Sequence, residues 1–511
     1  MKQLNELISA SGAVDGRALE DRVARAATAL ASIGVGVGDR VALLMRNDQP
    51  LVEALLATQH LGAYPVPLNW HAKADEIHHV LTDCGASVLI AHADLLAPVA
   101  SAVPTATRLV PVAPSPAVLA AYHVSWDGTM PEGAAPPWSD WIGAQTPIAA
   151  AAAAAPESII YTSGTTGLPK GVRRLAATPD QQRLTSRMRE TVFGIVPGAR
   201  VLVPAPLYHT APNFFALRAA RIAELLVLPA RFDAEGLLAN IERHRITHLY
   251  AVPTIFIRLL ALPEPVRRRY HLGSLAFALH AGAPCPPEVK RRMIEWWGPV
   301  INEYYGSTEA GPSTFVRAAE WLERPGTIGR PVDGVRIEVR DAEDRPLDKD
   351  EVGELFVWND GYADFTYLNR PQARAELQQR GMMATGDLGR RDAAGYYYLC
   401  DRKRDLVVSG GVNLYPAEIE AILQTMPGVA DCAVFGIPDP EFGEGLAALV
   451  EPMPGHAPTE PEIRAFLKRR LADFKVPRRI ELRASLPREE SGKIRKRLLR
   501  ESYWQDTGRQ I

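Results

Sequence analysis

The densest concentration of anion-binding side chains runs from Tyr161 to Gly171, the stretch Tyr-Thr-Ser-Gly-Thr-Thr-Gly-Leu-Pro-Lys-Gly. Glycines let the backbone turn tightly and bring its N–H groups close to an anion, and Gly164 and Gly167 are placed to do so. Thr162, Ser163, Thr165 and Thr166 add hydroxyl donors that rotate to fit, and Lys170 adds a mobile positive charge. Together they make a cradle for phosphate. The spacing is not that of the Walker loop, which needs Gly-x4-Gly-Lys-Ser/Thr; here Lys170 is itself followed by Gly171. A flexible polar loop would share this composition.

A second constellation lies at Asn302 to Gly311. Tyr304 and Tyr305 beside Gly306 offer a ring on which a purine can stack while the backbone approaches. Thr308 can bond an α-phosphate, and Glu309 is a hard oxygen ligand suited to Mg²⁺ bridging phosphates. An exposed helix-capping glutamate is the plainer alternative. Further on, Thr385-Gly386-Asp387-Leu388-Gly389 reads as a turn. An ionised Asp387 could accept hydrogen bonds from two ribose hydroxyls.

Buried strands and helices must position these groups. Leu19, Val23, Ala26, Ala27, Leu30 and Ile33 recur at helical spacing, followed by a strand at 41–45. A helix from Leu51, a strand at 64–66, a helix around 77–81 and a strand at 88–90 continue the alternation. Helix and strand alternating at this pace imply parallel pairing through right-handed crossovers. Ile159-Ile160-Tyr161 reads as the strand that ends in the phosphate loop. Further strands are expected at 201–204, 225–228, 248–253 and 275–280, and 353–357 reads as part of a smaller antiparallel sheet. The alanine run at 149–155 reads as a short exposed connection. Pro416 opens a helix, strands follow at 433–437 and 446–450, and Thr459 with Glu462 forms a capping box before Ile463, Phe466, Leu467 and Leu471. That suffices for a small α+β domain.

With 511 residues, the chain is too long for one ordinary core. Its net charge of −2 gives no general pull towards nucleic acid or anionic membrane. The four cysteines, Cys84, Cys285, Cys400 and Cys432, show no metal spacing and read as reduced thiols. No leader and no run of transmembrane length is visible, so a soluble cytoplasmic protein is expected, with peripheral membrane contact left open.

The Tyr161–Gly171 stretch resembles the phosphate loop of the adenylate-forming (AMP-binding) superfamily of acyl-CoA synthetases, peptide-synthetase adenylation domains and luciferases. The 302–311 segment is similar to a second motif of that superfamily, and the resemblance extends in order along nearly the whole chain. It implies that Gly282-Ala283-Pro284 flanks adenine, that Thr162 joins Glu309 at the metal, and that Asp387 and Arg402 hold the nucleotide. It makes His209 a lining residue of the acyl pocket beside the reacting carboxylate. It makes Gly410 and Gly411 the passage for the pantetheine arm of coenzyme A. Lys493 is then the catalytic lysine that bridges substrate carboxylate and α-phosphate. Two positions depart from the pattern. Arg404 stands where the pivot is usually Asp or Lys, and Glu490 where Thr is common.

The fold expected is α/β. A large N-terminal domain at 1–401 would carry parallel and mixed sheets with helices and a small antiparallel barrel-like part. A small mobile α+β domain at 402–511 would hinge near Arg404. The function expected is that of the fatty-acid–CoA ligase branch: ATP with Mg²⁺ activates a carboxylic acid to the acyl-adenylate, and CoA accepts the acyl group. Phe214, Phe215, Val252 and Phe256 favour an apolar acid. Arg173, Arg174, Arg183, Arg187 and Arg189 form a basic stretch that could face a nucleotide phosphate of CoA or be a solvated face. A homodimer is common in the family. The rivals are an enzyme that loads a separate carrier protein, and a catalytically inactive nucleotide-binding protein, against which Glu309, Asp387 and Lys493 argue.

Overall fold

The computed structural model describes residues 4–130, 134–148, 155–162, 169–488 and 494–504. Two sheets built on parallel strands occupy its larger part. One has four parallel strands in the order Tyr64–Pro67, Arg40–Leu44, Val88–His92, Arg108–Val112. Its strands are near-continuous apolar runs buried on both faces, as covered parallel strands must be. The first helix, Gly16–Ser32, buries the stripe Leu19, Val23, Ala26, Ala27 and Leu30, and the Asp15 side chain accepts from Ala18 N at its start.

The second sheet carries the site. Its parallel run has the order Leu225–Val227, Arg200–Leu202, His248–Ala251, Phe277–His280, Ile301–Ser307. The N-terminal hairpin Glu6–Ser9/Gly12–Asp15 adds to its edge beside Leu225–Val227. At the opposite end Gly311–Val316 turns back antiparallel on Ile301–Ser307. Two residue pairs, Thr314↔Pro331 and Phe315↔Arg330, then join this sheet to the antiparallel strands that follow.

The 248–253 segment divides: the strand stops at Ala251 and Pro253 opens the helix Pro253–Leu260. Proline is preorganised for a first helical turn and cannot donate to a ladder, so it marks the junction. Thr385 to Gly389 is not a turn but lies within the strand Met382–Arg391. Between the pairs Glu354↔Leu388 and Phe356↔Ala384, residues 385–387 face Leu355 alone, a bulge. Gly386 takes φ 72°, and the Thr385 hydroxyl donates to Leu355 O at 2.8 Å. A bulge uses the left-handed glycine that a turn would use, which is why the two read alike in sequence.

The C-terminal part has its own core. Val429–Asp439 and Gly443–Pro452 pair antiparallel, with Arg479–Leu482 added in parallel. Ile419, Leu423, Val434, Leu446, Ile463 and Leu467 meet in one buried cluster. The hairpin Val407–Ser409/Val412–Leu414 leads into it, turning at Gly410 and Gly411 with φ 57° and 82°. A Cβ on Gly410 would lie 2.8 Å from the Phe442 ring.

Candidate active site

A cavity of about 700 Å³ opens where the parallel strands of the second sheet end. Carboxyl ends of parallel strands are where an open α/β sheet leaves a crevice. Each strand delivers a loop: Ala205 to Pro212 after Arg200–Leu202, Val252 to Ile255 after His248–Ala251, Ala281 to Ala283 after Phe277–His280, and Gly306 to Thr308 at the end of Ile301–Ser307. The strand order thus sets where each loop enters the cavity, and the loops converge there.

Thr162 and Lys170 are cross-strand partners at the neck of the phosphate loop. Ser163, Gly164, Thr165, Thr166 and Gly167 lie outside the described residues. The neck is close-packed: a Cβ on Gly171 would come within 2.7 Å of the Tyr161 ring, whose hydroxyl donates to Asp83 Oδ2 at 2.7 Å. The Thr162 hydroxyl donates to Glu309 Oε1 at 3.3 Å, and Tyr367 donates to the same oxygen at 3.0 Å. Burial, then the Glu309 charge, raises the Tyr367 phenol well above its ordinary range, so it stays a donor. Lys170 Nζ sits 5.3 Å from the centre of the Tyr367 ring.

The donor set of Glu309 and Thr162, a carboxylate and a hydroxyl, suits a hard cation that keeps phosphate oxygens in its shell. Among the described residues no cluster of three or more His, Cys, Asp or Glu side chains could cage a metal by itself.

Glu309 does not cap a helix; it stands in the hairpin between Ile301–Ser307 and Gly311–Val316. That hairpin demands Gly306, where a Cβ would sit 2.2 Å from Gly311 O. The Thr308 hydroxyl lies 2.6 Å from that of Thr210, the residue after His209, and the Thr308 carbonyl accepts from Arg174 at 2.5 Å. Arg174 also lies 4.6 Å from the Tyr362 ring centre. Thr210 and Tyr367 had no signal in the sequence, since a hydroxyl earns notice only from what it meets.

The Asp387 bulge places its carboxylate against Tyr305 and Arg402. Tyr305 donates to Oδ2 at 2.6 Å and Arg402 Nε lies 2.8 Å from Oδ1. Burial and the Asp387 charge raise the Tyr305 phenol well above its ordinary range. Tyr304 turns into the core, its ring meeting Phe193 edge-on at 6.0 Å, while still forming cavity wall.

Gly282 and Ala283 line the cavity while Pro284 does not, and the strand that leads to them, Phe277–His280, ends in a buried ionic cluster. Lys290 Nζ is 2.6 Å and His280 Nε2 3.4 Å from Glu303 Oε2. Burial would raise the Glu303 carboxyl, but Lys290 and then His280 outweigh it and bring it down to about 2.

Of the apolar residues expected in the acyl pocket, Phe214 and Val252 line the cavity together with His209. Phe215 and Phe256 do not. Both are fully buried: Phe215 packs on Phe193 and Tyr250, and Phe256 on His280 and Trp297. Adjacent positions on a helix point about 100° apart, so Phe214 faces the cavity and Phe215 the core. Of the basic stretch, Arg183 pairs with Asp180 and Arg189 with Glu157, while Arg174 alone lines the cavity.

Lys493 and Glu490 lie outside the described residues. Arg488 and Ile494, on either side, form an antiparallel bridge, and Arg495 N donates to Pro487 O at 2.9 Å. Arg488 and Arg495 both line the cavity. Arg404 O accepts from Arg500 at 3.3 Å, tying the segment after Arg402 to the C-terminal helix.

Comparison with known proteins agrees with this geometry. The AMP-binding enzyme family matches residues 7–364, and the AMP-binding enzyme C-terminal domain matches residues 418–493. A feruloyl-CoA synthase from Amycolatopsis sp. is 35% identical, aligned over 95% of this chain and 93% of its own. The fatty acid–[acyl-carrier-protein] ligase ScoC of Streptomyces coeruleorubidus is 32% identical over 95% of this chain and 91% of its own. A benzoate CoA ligase structure from Burkholderia xenovorans superposes with a TM-score of 0.82 at 27% identity, covering 97% of this chain and 96% of that one. The chain belongs to the AMP-binding enzyme family, within its adenylate-forming acid–thiol ligases.

Proposed function

We propose that the protein activates a carboxylic acid with an apolar body, of the fatty or aryl type, as its acyl-adenylate and passes the acyl group to coenzyme A. The observation that carries this reading is the meeting of Thr162, Glu309 and Thr308 at one end of a cavity whose other lining includes His209, Phe214 and Val252. A phosphate end and an apolar end share one chamber, which is what joining a carboxylate to an α-phosphate requires.

In the first step a carboxylate oxygen of the acid attacks the α-phosphorus of ATP, the bond to the β-phosphate oxygen breaks, and pyrophosphate leaves. Lys170 and the loop hydroxyls grip the departing phosphates, while Thr308 and Lys493 stabilise charge on the transferring group. Tyr305 and Gly282–Pro284 flank adenine, and Asp387, oriented by Arg402, takes the ribose hydroxyls. Glu309 and Thr162 would hold Mg²⁺, which neutralises phosphate charge. Catalysis of this kind is chiefly positioning and electrostatics. Residues 402–511 then turn as a small domain about Arg404, withdrawing Lys493 and bringing Gly410 and Gly411 to the site. The CoA thiol attacks the acyl carbon, its proton passes to solvent, and AMP leaves. Free thiols at all four cysteines suit a reducing cytoplasm.

A second reading, transfer to a separate carrier protein, is favoured by the likeness to a carrier-protein ligase. A panel of carboxylic acids read by AMP release decides between the two. AMP release that needs CoA supports the ligase reading, and release that needs a phosphopantetheinylated carrier while CoA stays inert supports the other.

A further inference from the structure

The strand order sets where each loop leaves the sheet beside the cavity. Counting from Phe277–His280, the next strands are His248–Ala251, Arg200–Leu202 and Leu225–Val227. At ~4.8 Å per strand, the loop leaving Leu225–Val227 starts roughly 14 Å from the Gly282 wall. That loop carries Arg231 and Phe232, and both line the cavity. Arg258 lines it too, on Pro253–Leu260 one turn beyond Thr254, with its guanidinium 5.7 Å from the Phe232 ring centre.

Neither arginine meets a carboxylate among the described residues. Arg231 donates to the Ala121 carbonyl at 3.3 Å and lies 5.8 Å from the Tyr122 ring centre. Its neighbour Arg46, 4.6 Å from the same ring, is by contrast neutralised by Asp94 at 2.8 Å. Arg488 lines the cavity as well, but its charge is taken up by Asp431 at 2.5 Å and Glu451 at 3.5 Å. Burial, then Arg488, then Arg231 lower the Arg258 pKa, and the Asp431 and Glu451 charges offset this only in part, so the three positive charges lie close enough to feel one another. Among the described lining residues Glu76 is the one carboxylate, and it accepts from Lys73 N at 3.0 Å at the start of its helix. The acyl end is therefore apolar along its middle and cationic at its far end.

We propose that Arg231 and Arg258 form a recognition site for a second anionic group on the acid, at the end opposite the reacting carboxylate. The substrate class is then a diacid or similarly two-headed acid with an apolar or aromatic body. A guanidinium offers paired N–H donors in one plane, the geometry that a carboxylate accepts. Both side chains are exposed, so a plain monoacid would leave them to solvent, whereas a second anionic group would give them a direct partner. This inference rests on the ligase reading above.

The test is carboxylate-dependent ATP–pyrophosphate exchange without CoA, using straight-chain α,ω-diacids and monoacids of matched length. Omitting CoA removes the phosphates of the acceptor as an alternative source of anion. The expected result is a diacid preferred about tenfold or more in kcat/KM at the best length, a preference that Arg258→Gln and Arg231→Gln each cut by about tenfold and Arg258→Lys retains in part. No diacid preference at any length, or variants that lower monoacid and diacid equally, would overturn the inference. Variants with normal exchange ratios but a raised KM for CoA would also overturn it, assigning the arginines to the acceptor's phosphates. Wild-type protein that exchanges with no acid at all would instead sink the ligase reading itself.

Discussion

Thr162 and Glu309 are 147 residues apart in sequence, yet the hydroxyl of one donates to the carboxylate of the other at 3.3 Å. The contact joins the strand Ile160–Thr162 to the hairpin that carries Thr308, so any cation held there would be fixed relative to the hydroxyl proposed to meet the α-phosphate. Replacing Glu309 by Gln keeps the shape and removes the charge. Exchange activity is expected to fall by ~100-fold or more, with the Mg²⁺ concentration for half-activity raised. Thr162→Val should cost less, since a hydroxyl is a weaker ligand. A Mg²⁺ titration of both variants checks the order, and an unchanged Mg²⁺ dependence would contradict the assignment.

Asp387 already accepts from Tyr305 and pairs with Arg402, so its oxygens are oriented before nucleotide arrives. Asp387→Asn should raise the KM for ATP by about tenfold, the effect of one charge-assisted hydrogen bond, with a smaller change for the acid. Tyr305→Phe should raise it less. Steady-state kinetics with ATP and acid varied separately will show whether the loss falls on the nucleotide.

Neighbouring phenylalanines should behave as different kinds of residue. Phe214→Ala alters the ranking of acids by chain length at modest cost in stability. Phe215→Ala and Phe256→Ala empty core positions and should each cost about 3–5 kcal/mol. Thermal unfolding beside an acid panel separates the two behaviours.

The Lys290–Glu303–His280 cluster predicts a pH dependence of stability. The Glu303 carboxyl is held down at about 2 against an ordinary 4.5. A depressed carboxyl stabilises the fold fully above its unfolded value and loses that contribution as pH falls towards the folded one. The loss should therefore run from about 4.5 down to about 2, and Glu303→Gln should flatten the melting curve over that window. Lys290→Met, which strands a buried carboxylate, should cost about 3–5 kcal/mol at neutral pH.

The part of the site legible in the sequence is the part whose residues come in clusters, and the family resemblance, more than composition, separates those clusters from ordinary polar loops. Tyr161–Gly171 suggests phosphate binding by its glycines, hydroxyls and lysine, and Asn302–Gly311 gains its reading from the resemblance. What could not be read were meetings across the fold. Tyr367 reaches Glu309, and Thr210 reaches Thr308, only because separate strands end side by side. Phe215 and Phe256 have the right chemistry for an acyl pocket and the wrong helical phase, and phase depends on where a helix starts. Asp387 reads as part of a turn because a bulge and a turn both call on a left-handed glycine. Arg231 and Arg258 carry no sequence signal, since only the fold brings them to one cavity.

The account is tested most directly by Lys493→Ala assayed on the two half-reactions separately. Formation of acyl-adenylate from acid and ATP should fall by ~100-fold or more, while transfer from supplied acyl-adenylate to CoA should stay within about threefold of wild type. Equal loss in both half-reactions, or in neither, would contradict a site whose lysine serves adenylation alone.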